Sequence, residues 1–252
     1  MKALITGASS GIGLDMARYL ATLKYELILV ARNKEKLEQL QEELPTKVTI
    51  ILADLSIEQK VKELYALTKK ENIDVLINNA GLGDFGYLTD TDINKDLELI
   101  NTNIKAVHIL TKYFVKEMEK KKEKTYILNV ASSAAFQPGP LMSTYYATKS
   151  YVYQLTEALY YEEKKKNSNV HISVLCPGPV DTNFNDVAHV QFSVKPLSSS
   201  YVAKYAIDKM FKEKMLIIPG FKMKLAKFFS RFVSDKAMLR MIYKIQKRKT
   251  SK

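Results

Sequence analysis

Short apolar runs alternate along the chain with longer stretches in which apolar residues recur every three or four positions. The runs lie at 3–6, 26–31, 48–52, 75–78, 125–130, 171–175 and 215–218. The periodic stretches lie between them, at 12–23, 34–44, 57–70, 97–120 and 145–166. Such runs predict buried strands, and such periodicity predicts amphipathic helices. The alternation therefore predicts an α/β fold in which helical crossovers join parallel strands.

We expect one domain over residues 1–221, because no Gly/Ser-rich linker and no repeat of solenoid length interrupts the alternation. Of the residues, 46% are hydrophobic and 26% are charged, which excludes a disordered or collagen-like chain. The single cysteine, Cys176, cannot form an internal disulfide, which indicates a reducing compartment such as the cytoplasm. A glycine loop follows the first five residues directly, so we expect no export signal.

The net charge of +12 is concentrated at the C-terminal end of the chain. Residues 222–252 contain eight Lys, three Arg and one acid, Asp235, which gives +10 and leaves +2 for residues 1–221. A body so close to neutral argues against nucleic acid as a partner. The basic segment also carries apolar residues at helical spacing, at Leu225, Phe228, Phe229, Phe232, Leu239, Ile242 and Ile245.

This pattern predicts a cationic amphipathic helix or helix pair at 222–252, which we call the extension. Three roles are open for it. It packs on its own domain or on a second subunit, it lies on an anionic membrane surface, or it contacts nucleic acid or acidic carriers.

A glycine loop stands between the first predicted strand and the first predicted helix. Its sequence, Thr6-Gly7-Ala8-Ser9-Ser10-Gly11-Ile12-Gly13, has the spacing Gly-x-x-x-Gly-x-Gly. Glycines at such a junction permit a tight turn and let the backbone approach a pyrophosphate at a helix N-terminus. The loop therefore predicts a dinucleotide site, in which Ser9, Ser10 and Ile12 join the three glycines as contacts.

The end of the second predicted strand bears on the identity of the cofactor. A dinucleotide site carries there an acid for a ribose 2′-hydroxyl or an arginine for a 2′-phosphate. This chain has Val30-Ala31-Arg32-Asn33, without an acid, so Arg32 favours NADP(H) over NAD(H). A solvated Arg32 is the alternative. After the next strand, Asp54 and Leu55 are candidates for the adenine end, where Asp54 either receives the adenine amino group or caps the following helix.

Tyr145 and Lys149 stand four residues apart in a predicted helix, and therefore on one face about one turn apart. A tyrosine with its usual pKa of about 10 is a poor acid or base at neutral pH, and a nearby ammonium group favours its ionised form. The pair is thus a candidate general acid or base in which Lys149 lowers the pKa of Tyr145. For the isolated pair, an ordinary amphipathic helix is the alternative.

The ordered set of motifs resembles the short-chain dehydrogenase/reductase family. Three glycines match its cofactor loop, and the other matches are Asn78-Asn79-Ala80-Gly81, the Tyr-x-x-x-Lys pair and Pro177-Gly178 after the sixth strand. The match runs from residue 1 to about residue 220. It implies a single-domain, doubly wound Rossmann fold, with a seven-stranded, mostly parallel sheet in the order 3-2-1-4-5-6-7 and helices on both faces.

The resemblance implies hydride transfer between a nicotinamide and a carbonyl or alcohol carbon, with the catalytic residues Asn103, Ser132, Tyr145 and Lys149. Tyr145 would exchange a proton with the substrate oxygen, Ser132 would hydrogen-bond that oxygen, and Lys149 would hold the nicotinamide ribose. Asn103 would support a water for proton supply. Ser132 fits its position because it lies thirteen residues before Tyr145, and Ser133 is the alternative.

The resemblance also implies further contacts near the ends of the fourth and sixth strands. The cofactor would contact Asn79, Ala80, Gly81, Tyr145, Lys149, Pro177, Gly178, Val180 and Thr182. The substrate would contact Ser132, Phe136, Met142, Tyr145 and Phe184. The apolar residues of 183–196 predict a lid over an apolar substrate, within a lid region near 183–214, and a surface loop with buried anchors is the alternative. The histidines lack spaced partners, so we expect no metal site.

Together these features predict an NADP(H)-dependent oxidoreductase that transfers a hydride between NADPH and the carbonyl or alcohol group of an apolar small molecule. The alternative is a catalytically idle NADP-binding scaffold or sensor. The resemblance further implies a homodimer or homotetramer in which the helices at 97–120 and 145–166 pair between subunits. We expect a cytoplasmic protein, with peripheral membrane contact if the extension lies on a bilayer.

Overall fold

A parallel sheet forms the centre of the computed structural model, which describes residues 1–182 and 195–247. Within these residues the strands are β1 (Lys2–Thr6), β2 (Glu26–Ala31), β3 (Val48–Leu52), β4 (Val75–Asn78), β5 (Thr125–Val130), β6 (Val170–Leu175), β7 (Val180–Asp181), β8 (Leu197–Ser198) and β9 (Leu216–Ile217). Seven strands form one parallel sheet in the order β3-β2-β1-β4-β5-β6-β9, and β7 pairs separately with β8. This confirms the predicted fold and strand order, because the strand at 216–217 takes the seventh place.

Helices cover both faces of the sheet. In chain order they are α1 (Gly11–Thr22), α2 (Lys34–Glu43), α3 (Glu58–Thr68), α4 (Ile93–Ile100), α5 (Val107–Met118), α6 (Ser143–Lys165), α7 (Ser199–Met210), α8 (Phe221–Ser230) and α9 (Asp235–Lys247). The first face is covered by α1, α2 and α7, and the second by α3, α5 and α6. In β1, Ala3 and Ile5 enter the core of the first face and Leu4 that of the second. Apolar strands with both faces covered are typical of a parallel sheet.

A π-helical turn at Asn101–Ala106 separates α4 from α5, where the sequence predicts one continuous helix over 97–120. Such turns widen a helix locally and often occur at functional sites. Here the turn contains Asn103, whose side chain is fully buried. Apolar periodicity does not reveal the turn, because Leu99 and Leu110 keep the core-facing pattern on either side of it.

Helix α7 lies within the predicted lid region near 183–214, although the sequence pattern did not predict a helix there. The helix packs on α1, and one face of it is fully buried, at Val202, Ala203, Ala206, Ile207 and Met210. Residues 199–210 therefore belong to the core of the domain. The preceding part of the predicted lid, at 183–194 and including Phe184, lies outside the described residues.

The extension forms the two helices α8 and α9, in agreement with its predicted amphipathic pattern. Helix α8 contacts the 3-10 turn Ser133–Phe136, and α9 buries Met238, Ile242 and Gln246. One side of the extension therefore packs on its own domain. Within the described residues, no helix combines the length and the apolar character needed to cross a membrane.

Candidate active site

A cavity of about 570 Å³ opens at the carboxyl ends of the central strands, where the strand order reverses between β1 and β4. Ligands of open α/β sheets bind at this position, and the volume is in the usual range for a small-molecule site. The loop between β1 and α1 lines one part of the cavity, and residues of α6, α8 and α9 line another.

The glycine loop between β1 and α1 is held against the end of β4. The Asn79 side-chain amide donates hydrogen bonds to the carbonyl oxygens of Thr6 and Gly7, both at 3.0 Å. A Cβ at Gly13 would lie 2.3 Å from that amide nitrogen, and a Cβ at Gly7, where φ is +64°, would lie 2.8 Å from the Cα of Ala80. Both positions therefore require glycine. This packing brings the N–H groups of the first turn of α1 to the cavity, which fits a phosphate.

Most of the predicted site residues line this one cavity. They are Gly7, Ser9, Ser10, Gly11, Ile12, Arg32, Asp54, Leu55, Asn79, Ala80, Gly81, Ser132, Met142, Tyr145, Lys149, Pro177, Gly178, Val180 and Thr182. Gly13 and Asn103 lie behind the wall, where they contact residues that line it. The arrangement joins the phosphate-binding loop to the Tyr145 and Lys149 pair, so it fits an extended dinucleotide with its reactive ring near Tyr145.

Arg32 lies at the rim of the cavity and is half exposed. Its Nη1 donates a 2.9 Å hydrogen bond to Glu98 of α4 and stands 4.0 Å from Asp54. Asp54 accepts hydrogen bonds from the N–H and the hydroxyl of Ser56, at 2.9 and 2.7 Å. Burial opposes the ionisation of Asp54, but these bonds and Arg32 together lower its pKa. Asp54 thus stabilises a turn before α3, and Ile57 occupies the position that caps the helix.

Ser132 and Tyr145 meet at the cavity wall formed by β5 and α6. The Ser132 hydroxyl accepts a hydrogen bond from the Ala134 N–H at 3.1 Å and is hydrogen-bonded to the Tyr145 hydroxyl. Ser133 also lines the cavity, and its backbone N–H donates to the Pro177 carbonyl at 2.8 Å. The hydrogen bond to Tyr145 favours Ser132 over Ser133 as the partner of the substrate oxygen.

Burial dominates the titration of Tyr145 and Lys149. It raises the pKa of Tyr145 to about 12, and the Ser132 hydroxyl opposes this shift. It lowers the pKa of Lys149 to about 8. The Lys149 ammonium group lies 5.9 Å from the centroid of the Tyr145 ring and donates a 3.0 Å hydrogen bond to the Val130 carbonyl. The sequence predicts a lowered pKa for Tyr145, and the structure differs because burial is the largest effect on that pKa and raises it.

Asn103 supports the wall formed by Gly81 and Leu82. Its Oδ1 accepts a hydrogen bond from the Leu82 N–H at 2.9 Å, and its Nδ2 donates to the Leu82 carbonyl and the Thr148 hydroxyl, at 2.9 and 3.1 Å. A Cβ at Gly81 would lie 3.1 Å from Lys149 Nζ and 3.3 Å from Asn103 Oδ1. The absence of a side chain at Gly81 therefore leaves room for both groups.

The extension supplies part of the cavity wall, which the sequence did not predict. Met223 of α8 and Ile242 and Ile245 of α9 line the cavity. Gln246 of α9 donates a 2.6 Å hydrogen bond to the hydroxyl of Tyr146, another lining residue. An amphipathic pattern identifies an apolar face but not the surface that it covers, so the sequence carried no signal for this contact.

Phe136 does not line the cavity, contrary to its predicted role in substrate binding. Its ring packs edge-on against Tyr153, with 5.4 Å between centroids, and the Lys227 ammonium group lies 4.0 Å from its centroid. This orientation arises because Phe136 ends the 3-10 turn that contacts α8. Met142 is buried and lines the cavity as predicted. Within the described residues, no three His, Cys, Asp or Glu side chains converge as metal ligands would.

Comparison with known proteins decides the family. Residues 1–190 match the family model of the short chain dehydrogenases. The chain belongs to this family. Its relatives include oxidoreductases that act on CH–OH or C=O groups, which confirms the predicted enzyme class.

Two relatives of this short-chain dehydrogenase carry names that state their substrates. It is 31% identical over 209 residues to a very-long-chain 3-oxoacyl-CoA reductase from Anas platyrhynchos, covering 79% of this chain and 66% of the relative. It is 34% identical over 187 residues to 17-beta-hydroxysteroid dehydrogenase type 3 from Mus musculus, covering 71% of this chain and 60% of the relative.

Solved structures of the family share the fold and differ in cofactor. A short-chain dehydrogenase from Sphingobium yanoikuyae in complex with NADPH has a TM-score of 0.82 and 25% identity, covering 92% of this chain and 93% of that one. A member from Burkholderia phymatum in complex with NAD has a TM-score of 0.83 and 25% identity, covering 92% of each chain. The likeness supports a nicotinamide dinucleotide and does not distinguish its two forms.

Proposed function

We propose that this short-chain dehydrogenase is an NADP(H)-dependent reductase of carbonyl groups on apolar small molecules. The observation that carries the proposal is the meeting of Ser132, Tyr145 and Lys149 in one cavity with the glycine loop. Two hydrogen-bonded hydroxyl groups beside a buried ammonium group suit proton transfer to a substrate oxygen. A nicotinamide bound against these residues would supply or accept the hydride.

Each catalytic side chain has a separate task in this proposal. Tyr145 donates its phenolic proton to the carbonyl oxygen, and Ser132 hydrogen-bonds the same oxygen. A pKa of about 12 keeps that proton on Tyr145 at neutral pH, so the phenol is in the protonated form that carbonyl reduction requires. Lys149 would stabilise the phenolate that remains after the transfer and would hold the cofactor ribose. Asn103 is a positioning residue, because it holds Leu82 and the wall beside Lys149.

Arg32 supports the choice of NADP(H). The end of β2 carries Arg32 and Asn33 and no acid that would select a ribose 2′-hydroxyl. Arg32 is exposed at the rim, and its bond to Glu98 lies at the surface, where a 2′-phosphate can replace it. Asp54 and Leu55 line the same cavity, where they would border the adenine.

An apolar substrate is favoured by the apolar part of the cavity wall. Leu82, Met142, Met223, Ile242 and Ile245 line the cavity, and Leu82 and Met142 pack in one cluster with Tyr145. Such a wall offers contact area to an aliphatic or polycyclic body and a few polar groups for orientation. The names of the duck and mouse relatives point to the same substrate class.

The test is consumption of NADPH, with NADH alongside, over a panel of aldehydes, ketones, 3-oxoacyl thioesters and oxo-steroids. We expect turnover with NADPH preferred. Y145F should abolish turnover and keep NADPH affinity, because the phenol takes part in proton transfer and the ring still fills its place. A catalytically idle scaffold would bind NADPH, turn over no substrate of the panel and be unaffected by Y145F. Failure to bind either cofactor would overturn the proposal.

We also propose that the protein is a homo-oligomer and works in the cytoplasm. An apolar strip of α4 supports subunit pairing, because Ile93, Leu97 and Ile100 are all exposed, and Tyr151 of α6 is exposed as well. Sedimentation equilibrium of the wild type and of I93S/L97S tests the oligomeric state. We expect the variant to have a lower mass than the wild type, and a monomeric wild type would contradict the homo-oligomer.

A further inference from the structure

Helix α8 is amphipathic, but its aromatic side faces outward and a lysine faces the domain. Its half-buried positions are Met223, Lys227 and Ser230, and none of its residues is buried. The Lys227 ammonium group lies 4.0 and 4.3 Å from the ring centroids of Phe136 and Tyr153, and it donates a 2.7 Å hydrogen bond to the Tyr153 hydroxyl. A lysine therefore occupies the inner side of this helix.

The aromatic residues of α8 lie on its outer side. Phe221, Phe228 and Phe229 are 77%, 55% and 54% exposed, and Phe232 in the following turn is 75% exposed. A helix stabilised by its own domain alone would bury such side chains. The exposure of these rings indicates that they have an apolar partner beyond the residues that the structure describes.

Helix α9 also exposes apolar side chains, at the margins of its buried stripe. Together the two helices and the turn between them expose Phe221, Leu225, Phe228, Phe229, Phe232, Val233, Leu239, Met241 and Ile245, which we call the outer face. Exposed cations stand among them, at Lys222, Lys224, Arg231, Lys236, Arg240 and Lys244. None of these six cations forms an ion pair with a carboxylate in the part of the chain that the structure describes.

The charge of the outer face decides what it can contact. Asp235 is the one acid in residues 222–247. Two copies joined through this face would bring two sets of uncompensated cations together, which is unfavourable at an interface. A bilayer with anionic headgroups supplies negative charge for the lysines and arginines, and its acyl region accepts the phenylalanines.

The outer face is also continuous with the cavity. Ile245 is 40% exposed and lines the cavity as well, beside Ile242. Two phenol contacts hold α9 on the domain: the 2.6 Å bond from Gln246 to Tyr146, and a 2.9 Å bond between the hydroxyls of Tyr243 and Tyr87. Ile245 therefore joins the outer face to the cavity wall, so a molecule leaving a bilayer at α9 would meet the cavity there.

We propose that the outer face of α8 and α9 docks on an anionic lipid bilayer, and that the apolar substrate enters the cavity from that bilayer past α9. The docking stands independently of the activity. The entry route rests on the function proposed above.

Co-sedimentation of the full chain with vesicles tests the docking. We expect binding to phosphatidylcholine vesicles that contain 30% phosphatidylserine, and at least about tenfold weaker binding to pure phosphatidylcholine or at 0.5 M salt. The variant K222E/K236E/K244E should weaken binding by about 100-fold or more, since each basic residue near the surface contributes about 1 kcal/mol, or roughly fivefold. The variant F228S/F229S/F232S should weaken it by about tenfold or more, because the rings leave the acyl region.

Matched variants elsewhere on the surface control for loss of charge or apolar area. L23S/I57S/L67S removes three side chains that are 42%, 49% and 66% exposed, and K70E/K116E/K214E reverses three exposed lysines of the body. Both should keep wild-type binding. Equal loss in the control and extension variants, or no vesicle binding by the wild type, would overturn the docking. Association between copies that disappears in F228S/F229S/F232S would assign the face to a second copy and overturn it too.

Turnover then separates the entry route from the proposed function. F228S/F229S/F232S should keep wild-type turnover of a water-soluble carbonyl and lose about fivefold or more with a carbonyl dissolved in anionic vesicles. Unchanged turnover of the vesicle-dissolved carbonyl would overturn the entry route. Vesicle binding without turnover of either carbonyl would count against the proposed reductase and leave the docking intact.

Discussion

The ammonium group of Lys149 donates a 3.0 Å hydrogen bond to the carbonyl oxygen of Val130, the last residue of β5. This bond ties the helix face that carries Tyr145 to the strand end that leads into Ser132. It also requires a buried charge, and burial lowers the pKa of Lys149 to about 8. Burying this charge lowers the stability of the folded state and fixes the position of the ammonium group. Such perturbed groups are common at functional sites.

We expect K149M to lose turnover and to change the pH dependence of stability. The pKa of Lys149 is about 8 in the folded chain and near 10.5 in the unfolded chain, so the unfolded state binds more protons between these values. The wild-type free energy of unfolding therefore gains from this group as pH rises from 8 to 10.5, by about 3 kcal/mol at most. Methionine has no such contribution.

Urea unfolding at pH 7 and pH 10 measures this difference. The free energy of unfolding of K149M minus that of the wild type should decrease from pH 7 to pH 10. The reason is that Lys149 loses its buried charge over this range, which stabilises the folded wild type. K70M, at an exposed lysine, should show no such change. A difference that stays constant with pH would mean that Lys149 keeps an ordinary pKa in the folded chain.

Gly81→Ala should lower turnover with little effect on folding. The new methyl group would lie 3.1 Å from Lys149 Nζ and 3.3 Å from Asn103 Oδ1, so both polar groups must shift. A misplacement of about 1 Å costs about 100-fold in rate where proton transfer depends on geometry, so we expect the smaller shift here to cost roughly 10-fold. Gly86→Ala is the matched control, since its methyl group would also lie 3.1 Å from a neighbour, the methyl group of Thr91, away from the cavity. Similar kcat values for the two variants would contradict the role of Gly81.

The sequence predicted the sheet well because its signal is local. Runs such as 26–31 and 125–130 are mostly apolar, and the observed strands β2 and β5 have these bounds. The candidate catalytic pair Tyr145 and Lys149 was equally accessible, because both residues lie on one helix.

What the sequence could not predict depends on contacts between distant residues. The π-helical turn at Asn103 coincides with hydrogen bonds to Leu82, twenty-one positions away. The Arg32 bond to Glu98 spans 66 positions, and the bond from Gln246 to Tyr146 spans 100. No periodicity encodes such pairs.

The bond between Arg32 and Glu98 gives a prediction for cofactor choice. R32A should weaken NADPH binding by about 10-fold to 100-fold, since a charge-assisted hydrogen bond to phosphate is worth roughly 1.5 to 3 kcal/mol. NADH, which lacks the 2′-phosphate, should bind R32A nearly as it binds the wild type. Titration of both cofactors by fluorescence measures this, and equal losses for the two would exclude Arg32 as the phosphate contact.

E98Q should act in the opposite direction. Glu98 competes with a 2′-phosphate for the Arg32 guanidinium, at 2.9 Å. Because exposed ion pairs are worth about 1 kcal/mol or less, removing the competitor should strengthen NADPH binding by up to about fivefold and leave NADH unchanged. E63Q, at an exposed acid paired with Lys60, is the control. Weaker NADPH binding in E98Q would indicate that Glu98 orients Arg32 for the phosphate.

Ser132 and Ser133 offer a matched pair of substitutions in one cavity wall. The Ser132 hydroxyl is hydrogen-bonded to Tyr145 and lowers the pKa of that phenol against the effect of burial. S132A should therefore lower kcat by about 100-fold to 1000-fold, the usual cost of losing one donor to a reacting oxygen. S132A should also shift the ionisation of Tyr145 to higher pH. S133A should change kcat by no more than about threefold, and both variants should bind NADPH as the wild type does. A loss of kcat in S133A alone would assign the contact with the substrate oxygen to Ser133. The role of Ser132 would then be to stabilise the backbone turn at Ala134.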